Sequence, residues 1–227
     1  MISVKDTANI AGACPGLATF ECTKVMSASG PIFRPMSQLS SLKKICFTIG
    51  FPDVRLSEFS VALTSLAELS SQISMIDVGN DEGRMGLSER FADVDSILPH
   101  LAPLKSLSEL TIRVAASTLN FQALQRHSSL LQSLDHLTEF RLMHCSHVYE
   151  LSADLAAGGL TACRQLKSLC IDNVALNPEA AELFLSMPYL TQLTVSRIDT
   201  PPAGCNTDVD LHAVPPHNYA LKELTIR

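Results

Sequence analysis

A short phrase of aliphatic residues recurs along this chain and constrains its fold more than any other feature. "LKSLSELTI" (104–112), "LDHLTEFRL" (134–142) and "MPYLTQLTV" (187–195) all contain the pattern LxxLxL. In the first copy its positions one, four and six are Leu107, Leu110 and Ile112. Alternate residues of a strand point the same way, so Leu110 and Ile112 would face inward and Thr111 outward. The leading leucines are predicted to close a helix and a turn, and the last residues to form a strand.

The same pattern fits eight segments of the chain. Its fourth position falls at residues 20, 45, 73, 110, 140, 169, 193 and 224. The mean spacing is about 29 residues, at the upper edge of the period of leucine-rich repeats. The third copy, Ile73 and Met75 within "SSQISMIDV", is the weakest. A single unit cannot bury its own apolar face, so neighbours must stack. We predict an α/β leucine-rich-repeat solenoid, a horseshoe of about eight irregular repeats with a concave parallel sheet and outer helices.

The segments between the strands carry helix signals. "NPEAAELFLSM" (177–187) begins with Asn177 as an N-cap and Pro178 at the first helical position. Residues 57–71 and 121–134 place apolar side chains at intervals of three and four. A doubly wound sheet would also alternate strands and helices, but it predicts long apolar strands and a Gly-rich phosphate turn, which the sequence lacks. We expect one repeat domain over 1–227 that is truncated or uncapped at both ends.

Composition limits which classes of partner and which cellular compartment are expected for this chain. The formal net charge of −6 gives no electrostatic case for nucleic acid, and the apolar runs are too short to span a membrane. Seven cysteines, an odd number at irregular spacing, do not form a disulfide framework. A reducing compartment, the cytoplasm or the nucleus, is expected. With 5% aromatic residues, the core is predicted to be mostly aliphatic.

No signature of catalysis or of a cofactor is found, so we predict a non-enzymatic protein without cofactor or metal. GxSxG, GxxxxGK[ST] and HExxH are all absent. Cys46 and Cys170 are predicted to be accessible on the outward face of the strands, but a nucleophile also needs a base, and only His144 is a plausible neighbour of Cys170. "HCSH" (144–147) lacks the paired spacing of a zinc site, so Cys145 is interpreted as a core residue.

Two segments interrupt the repeats. "GNDEGRMG" (79–86) lacks the ligand order of an EF-hand and is interpreted as a solvated insertion. "DTPPAGCNTDVDLHAVPPH" (199–217) is a Pro-rich insertion loop between two proline pairs. Either this loop contacts a partner or it is a tolerated surface excursion, and the second reading is favoured because loops accept insertions at little cost.

The outward strand residues define the best candidate for a binding surface. The slot between positions four and six gives one row: Glu21, Cys46, Ser74, Thr111, Arg141, Cys170, Thr194 and Thr225. The slot after position six gives another: Thr23, Thr48, Ile76, Arg113, Met143, Asp172, Ser196 and Arg227. Arginine with an adaptable methionine suits recognition of a protein segment, for instance an acidic or phosphorylated one. The predicted partner-binding residues are Arg113, Arg141, Met143, His144, Asp172 and Arg197.

Three stretches carry a resemblance to a known family. "ACPGLATFECTKV" (13–25), "LTEFRLMHCSHV" (137–148) and "LKSLCIDNVAL" (166–176) resemble the irregular leucine-rich repeats of F-box proteins, especially fungal ones, within the ribonuclease-inhibitor-like superfamily. The resemblance implies the target-recognition part of a ubiquitin-ligase substrate receptor. An F-box segment before the repeats is not found, so binding of the cullin adaptor is expected only if an F-box lies outside this chain. The alternative is a freestanding scaffold or regulator of ribonuclease-inhibitor type.

Overall fold

The computed structural model describes residues 2–25, 28–49, 56–80, 93–114, 118–144, 149–151, 159–198 and 220–226. The chain divides into two compact units, Met1–Ala115 and Ala116–Arg227. The predictions for residues 81–86, 199–217, Cys145 and Arg227 concern residues outside those described.

The first unit contains six strands and three α-helices among its described residues. The strands are β1 (Ile2–Ser3), β2 (Thr19–Val25), β3 (Ala28–Ser29), β4 (Lys44–Ile49), β5 (Met75–Asn80) and β6 (Glu109–Val114). The helices are α1 (Val4–Ala13), α2 (Leu56–Thr64) and α3 (Val94–Leu101), with 3₁₀ turns at Arg34–Gln38 and Ser65–Leu69. β1 pairs with β3, and β2, β4, β5 and β6 form parallel neighbours in that order.

The second unit repeats this arrangement. Its strands are β7 (Glu139–His144), β8 (Tyr149–Leu151), β9 (Ser168–Leu176), β10 (Gln192–Ile198) and β11 (Glu223–Ile226). Its described helices are α4 (Thr118–Arg126), α5 (Ser128–Gln132) and α6 (Pro178–Leu185), with a 3₁₀ turn at Leu160–Ala162. β7, β9, β10 and β11 are parallel neighbours in that order, and β8 also pairs with β9.

The inward residues of the pattern lie side by side, which confirms the α/β leucine-rich-repeat fold. In the second unit Phe140 is in register with Leu169, Leu169 with Leu193, and Leu193 with Leu224. Phe140, Leu169 and Leu193 are at most 1% exposed. In the first unit Phe20, Ile45 and Leu110 occupy the same position and are also buried. Stacking therefore removes the aliphatic faces of these repeats from water, whereas Leu224 and Ile226 on β11 are 36% and 52% exposed.

The third repeat is shifted by three residues from its predicted frame. Ile76, not Ile73, is in register with Ile45 and Leu110, and Val78 takes position six. Ile73 is buried at position one. Apolar residues at 73, 75, 76 and 78 fit the alternation of a strand in two frames, with position four at residue 73 or at residue 76. Only the presence of an apolar residue at position one, Ile73, selects the second frame. Ser74 and Ile76 therefore do not belong to the outward rows, and Asp77 and Gly79 replace them.

The turn before each strand explains why leucines recur every three residues at the start of "LKSLSELTI" (104–112). Leu107 N donates to Leu104 O at 3.1 Å, and Leu137 N donates to Leu134 O at 3.0 Å. The carbonyl of Ser74 then accepts from both Ser108 N and Glu109 N, at 2.8 and 3.0 Å. Each turn is thus hydrogen-bonded to its neighbour, which fixes the register of the strand that follows.

The helix predictions hold with two interruptions. Asn177 caps α6 by accepting from Ala180 N at 2.8 Å, with Pro178 at the first position, as predicted. The segment 57–71 changes from α2 to a 3₁₀ turn at Ser65, whose hydroxyl donates to Ala62 O and accepts from Phe33 N. The segment 121–134 is split at His127, which separates α4 from α5.

The core of the first unit is more aromatic than the composition suggests. Phe33 contacts Phe47 edge to face at 5.2 Å between ring centroids, and Phe47 stacks on Phe59 at 5.5 Å. Phe20 adds a second edge-to-face contact with Phe33 at 6.2 Å. Four of the nine phenylalanines of the chain therefore form one continuous cluster within a core that is otherwise mostly aliphatic, as predicted.

Candidate functional site

The candidate site is the open sheet face, defined as the strand side chains that alternate with the buried ones. In the second unit its central row is Arg141, Cys170, Thr194 and Thr225, in register as the sequence predicts. In the first unit the corresponding row is Glu21, Cys46, Asp77 and Thr111. The predicted binding residues are divided: Arg113 belongs to the first unit, and Arg141, Met143 and Asp172 to the second.

Arg113 forms a two-pronged ion pair with Asp77. Its Nε donates to Asp77 Oδ1 and its second terminal nitrogen to Oδ2, both at 2.8 Å. The side chains are only 25% and 18% exposed. A bidentate pair that is partly shielded from water is stronger and better oriented than a surface pair. The frame error of the third repeat hid Asp77 from the sequence prediction.

Gly79 allows the backbones of β5 and β6 to lie close together beside the Arg113–Asp77 pair. It lies opposite Arg113 in the pairing of β5 with β6, and its φ is +137°. A Cβ at this position would lie 2.0 Å from the backbone oxygen of Arg113. A glycine inside a strand pattern is a sequence signal for a close backbone approach, and "DVG" (77–79) carries it.

Cys46 is buried, which corrects the prediction of an accessible thiol. It is 8% exposed, and Thr48 on the same face is 4% exposed. Burial, together with the Asp77 and Glu21 carboxylates on the two neighbouring strands, raises the pKa of Cys46 to about 11. The thiol is therefore protonated at neutral pH and poorly suited to act as a nucleophile.

Arg141 in the second unit is also paired with a carboxylate. It binds Glu139, two residues earlier on the same strand, and its side chain is 53% exposed. Met143, Cys170 and Asp172 are half-buried. Side chains two apart on one strand share a face, so the Glu139–Arg141 pair could have been read from the sequence.

Other predicted residues of the site lie outside the described side chains. The backbones of His144 and Arg197 belong to β7 and β10, but the positions of their side chains are not among those described. The proposed pairing of His144 with Cys170 therefore stays a prediction. In the described part of the chain, no group of three or more His, Cys, Asp or Glu residues could hold a metal ion.

The charge of the open sheet face is slightly negative over its described residues. In the first unit the face carries three acidic residues and two basic ones: Glu21, Asp77 and Glu109, with Lys44 and Arg113. In the second unit it carries three acidic residues and one basic one: Glu139, Asp172 and Glu223, with Arg141. Arg113 and Arg141, the two arginines of the predicted site whose side chains are described, are thus offset by nearby carboxylates. A surface of this kind offers little net attraction to a strongly acidic segment.

A second cluster of polar side chains joins helices α2 and α3. Thr64 Oγ1 donates to the Ser60 carbonyl at 2.8 Å, so it accepts at 3.1 Å from His100 Nδ1. His100 Nε2 then accepts from the Ser60 hydroxyl at 3.0 Å. Burial lowers the pKa of His100, which favours the neutral imidazole that these hydrogen bonds require. The cluster is a hydrogen-bonded clasp between two helices, and no sequence pattern indicates it.

Comparison with known proteins finds similarity in structure only. No family model matches the chain, and no curated protein matches it in sequence. An internalin (inlF) from Listeria monocytogenes covers 88% of this chain at 13% identity and a TM-score of 0.47; this chain spans 53% of it, about half its length. An internalin C2 (inlC2) from the same species covers 97% at 16% identity and a TM-score of 0.44, with 84% of that protein spanned.

The leucine-rich-repeat architecture of this chain therefore rests on its own strand register. The structure also contains no described helix that is long and apolar enough to cross a membrane.

Proposed function

We propose that the chain is a non-catalytic protein-interaction module whose partner binds the open sheet face. The observation that carries this proposal is the row from Arg141 through Cys170 and Thr194 to Thr225, which the parallel register places on neighbouring strands. Strands about 4.8 Å apart present these side chains at a fixed spacing. A surface that is ordered before binding loses little conformational entropy when a partner docks.

The chemistry of the face favours a polar partner segment that is neutral or basic. Hydroxyl groups of Thr111, Thr194 and Thr225 can each donate and accept a hydrogen bond. Arg113 and Arg141 are offset by Asp77 and Glu139, so an acidic or phosphorylated segment is a poorer fit than the sequence suggested. Arg141 is still accessible to a partner, since its side chain is 53% exposed.

The finer proposal is target recognition for an F-box-like ubiquitin ligase in the cytoplasm or nucleus. It is supported by the phrases at 13–25, 137–148 and 166–176, which resemble F-box leucine-rich repeats. The second candidate is a freestanding scaffold or regulator of ribonuclease-inhibitor type, which the same phrases support through the wider superfamily. The two differ in one respect, because only the first requires contact with the cullin adaptor.

Two binding experiments separate these possibilities. Affinity capture tests the open sheet face. It compares the parent chain with the Arg141→Ala variant and, as a control, with Arg126→Ala on helix α4. We expect Arg141→Ala to lose captured proteins that the parent and the control both retain. Equal capture by all three would contradict the use of this face.

Co-precipitation of the cullin adaptor with the full-length gene product tests the finer proposal. Recovery of the adaptor would favour the F-box-like receptor. Its absence, with targets still captured, would favour the freestanding scaffold.

A further inference from the structure

A second surface in the Ala116–Arg227 unit is built by the turns that precede its strands. The turns share one hydrogen bond: Leu137 N to Leu134 O at 3.0 Å, Leu166 N to Cys163 O at 3.1 Å, and Leu190 N to Met187 O at 3.3 Å. The two middle residues of each turn are exposed. We call these six residues the turn row: Asp135, His136, Arg164, Gln165, Pro188 and Tyr189.

Register aligns the turn row from one repeat to the next. Lys167 N donates to Thr138 O and Thr191 N donates to Lys167 O, each at 2.8 Å. Successive turns are therefore spaced like the strands, about 4.8 Å apart. Corresponding turns of the first unit expose small residues for the most part, such as Gly16, Ser40 and Ser41. The larger and chemically mixed side chains are a property of the second unit.

A pocket of about 290 Å³ lies between the first two turns. At about 30 Å³ per water molecule, it is large enough for roughly ten waters or for one amino-acid side chain. Its floor is apolar and nearly covered, since Leu131, Leu134, Leu137 and Cys163 are each 5% exposed or less. Burial raises the pKa of Cys163 to about 12, so the floor carries no charge at neutral pH.

The rim of the pocket is polar and carries both signs of charge. Gln132 and Gln165 offer amide groups that donate and accept, and Asp135 and Arg164 are oppositely charged. A side chain with a net charge would be attracted by one of these residues and repelled by the other. A neutral polar side chain, or a peptide group, fits the rim best.

The third turn adds an exposed aromatic residue. Tyr189 is 60% exposed, and Pro188 beside it is exposed as well. Tyrosine is among the residues that most often dominate binding energy at protein interfaces. Tyr189 lies about one and a half repeats from the pocket, roughly 7 Å, which is two residues of an extended chain.

We propose that the turn row binds an extended segment of a partner protein. The segment places a neutral polar side chain (Ser, Thr, Asn or Gln) in the pocket and an apolar side chain two residues away against Tyr189. Because the pocket floor exposes little apolar area, the contact with Tyr189 supplies much of the affinity. This inference rests on the proposed interaction function but uses a different surface from the open sheet face.

Selection from a random peptide display library against the whole chain tests the proposal. We expect enriched peptides with a neutral polar residue and an apolar residue two positions apart, in one consistent order. Their synthetic versions should bind the Tyr189→Ala variant on the order of tenfold more weakly, as for a residue that dominates an interface. Gln165→Ala should also weaken them, whereas Tyr189→Phe and Lys105→Ala, in a turn of the first unit, should bind like the parent.

Other outcomes would overturn the turn row specifically. If the peptides bind the Tyr189→Ala variant normally and do not bind the Arg141→Ala variant, recognition lies on the open sheet face. That result would support the proposed function and contradict this inference. No enriched pattern, or a pattern rich in charged residues at the pocket position, would also contradict it. Tyr189 is exposed, so equal thermal unfolding of parent and variant shows that the fold is intact.

Discussion

Arg113 and Asp77 face each other from neighbouring strands, joined by two hydrogen bonds of 2.8 Å and shielded from most of the solvent. Gly79, two residues after Asp77 on β5, provides the room that brings the two strands together. The pair joins β5 to β6 independently of the backbone hydrogen bonds. It therefore contributes to the stability of the first unit as well as to the chemistry of the open sheet face.

Removing either partner of this pair should destabilise the chain. Asp77→Ala leaves a half-buried guanidinium without its carboxylate, at a cost of about 1–3 kcal/mol in the free energy of unfolding. A double-mutant cycle of Asp77→Ala and Arg113→Ala, measured by urea denaturation, should give a coupling energy above about 1 kcal/mol. Arg113→Ala alone should likewise lower the free energy of unfolding, because it leaves the Asp77 carboxylate without this partner.

The pair of Arg34 and Glu68 is a matched control for that cycle. These side chains are 64% and 47% exposed and 3.4 Å apart. Exposed pairs of this kind contribute about 0.2–1 kcal/mol at most. Similar small coupling energies for both pairs would show that the Arg113 pair has no special structural role.

Gly79→Ala should be more damaging than loss of the ion pair. A Cβ at this position overlaps the backbone of Arg113, and a φ of +137° is strained for any residue with a side chain. We expect a loss of about 3 kcal/mol or more in the free energy of unfolding. Gly12→Ala is the control, because nothing lies within 4 Å of its added Cβ and alanine favours the helix by about 0.5–1 kcal/mol.

The clasp around His100 should make stability depend on pH. Burial lowers the pKa of His100 in the folded chain below its ordinary value of 6.5, so the unfolded chain takes up a proton first as pH falls. Its contribution to stability is complete above about pH 6.5 and decreases below it. Urea denaturation at pH 7.5 and at pH 5 should show a smaller loss of stability for His100→Gln than for the parent. An identical loss in both would assign the pH dependence to other groups.

Cys46 should react slowly with alkylating reagents. Raising the pKa from 9.0 to about 11 lowers the thiolate fraction near pH 7 by about a hundredfold, and burial restricts access as well. Mass spectrometry after brief treatment with iodoacetamide should find Cys14, which is exposed, modified well before Cys46. Labelling of Cys46 as fast as Cys14 would revive the hypothesis of a catalytic thiol.

The repeats could be predicted from sequence because their signal is a spacing of apolar residues. Ile45, Leu110, Phe140, Leu169 and Leu193 all take the inward position that the pattern assigns, and all are 1% exposed or less. The same spacing failed at the third repeat, since apolar residues at 73, 75, 76 and 78 satisfy two frames. Only the hydrogen-bonded turn, in which Ile73 takes the place of Leu107, resolves the choice.

The pairing of charges could not be predicted for a related reason. Which carboxylate meets Arg113 depends on the register between β5 and β6, and that register was assigned from the wrong frame. Tertiary contacts of this kind are long-range in sequence, as are the clasp of Ser60, Thr64 and His100 and the cluster of phenylalanines. Glu139 and Arg141, by contrast, are close in sequence and share a face by strand alternation alone.

An engineered disulfide tests the stacked parallel repeats most directly. Thr194 is in register with Cys170 on the neighbouring strand, so Thr194→Cys should form a disulfide with Cys170 under mild oxidation. Gln192→Cys, two residues earlier on the same face, is in register with Ser168 and should not. Peptide mapping that finds the 170–194 link in the first variant and not in the second agrees with the account. Linkage in neither variant, or equally in both, would contradict the stacking of these strands.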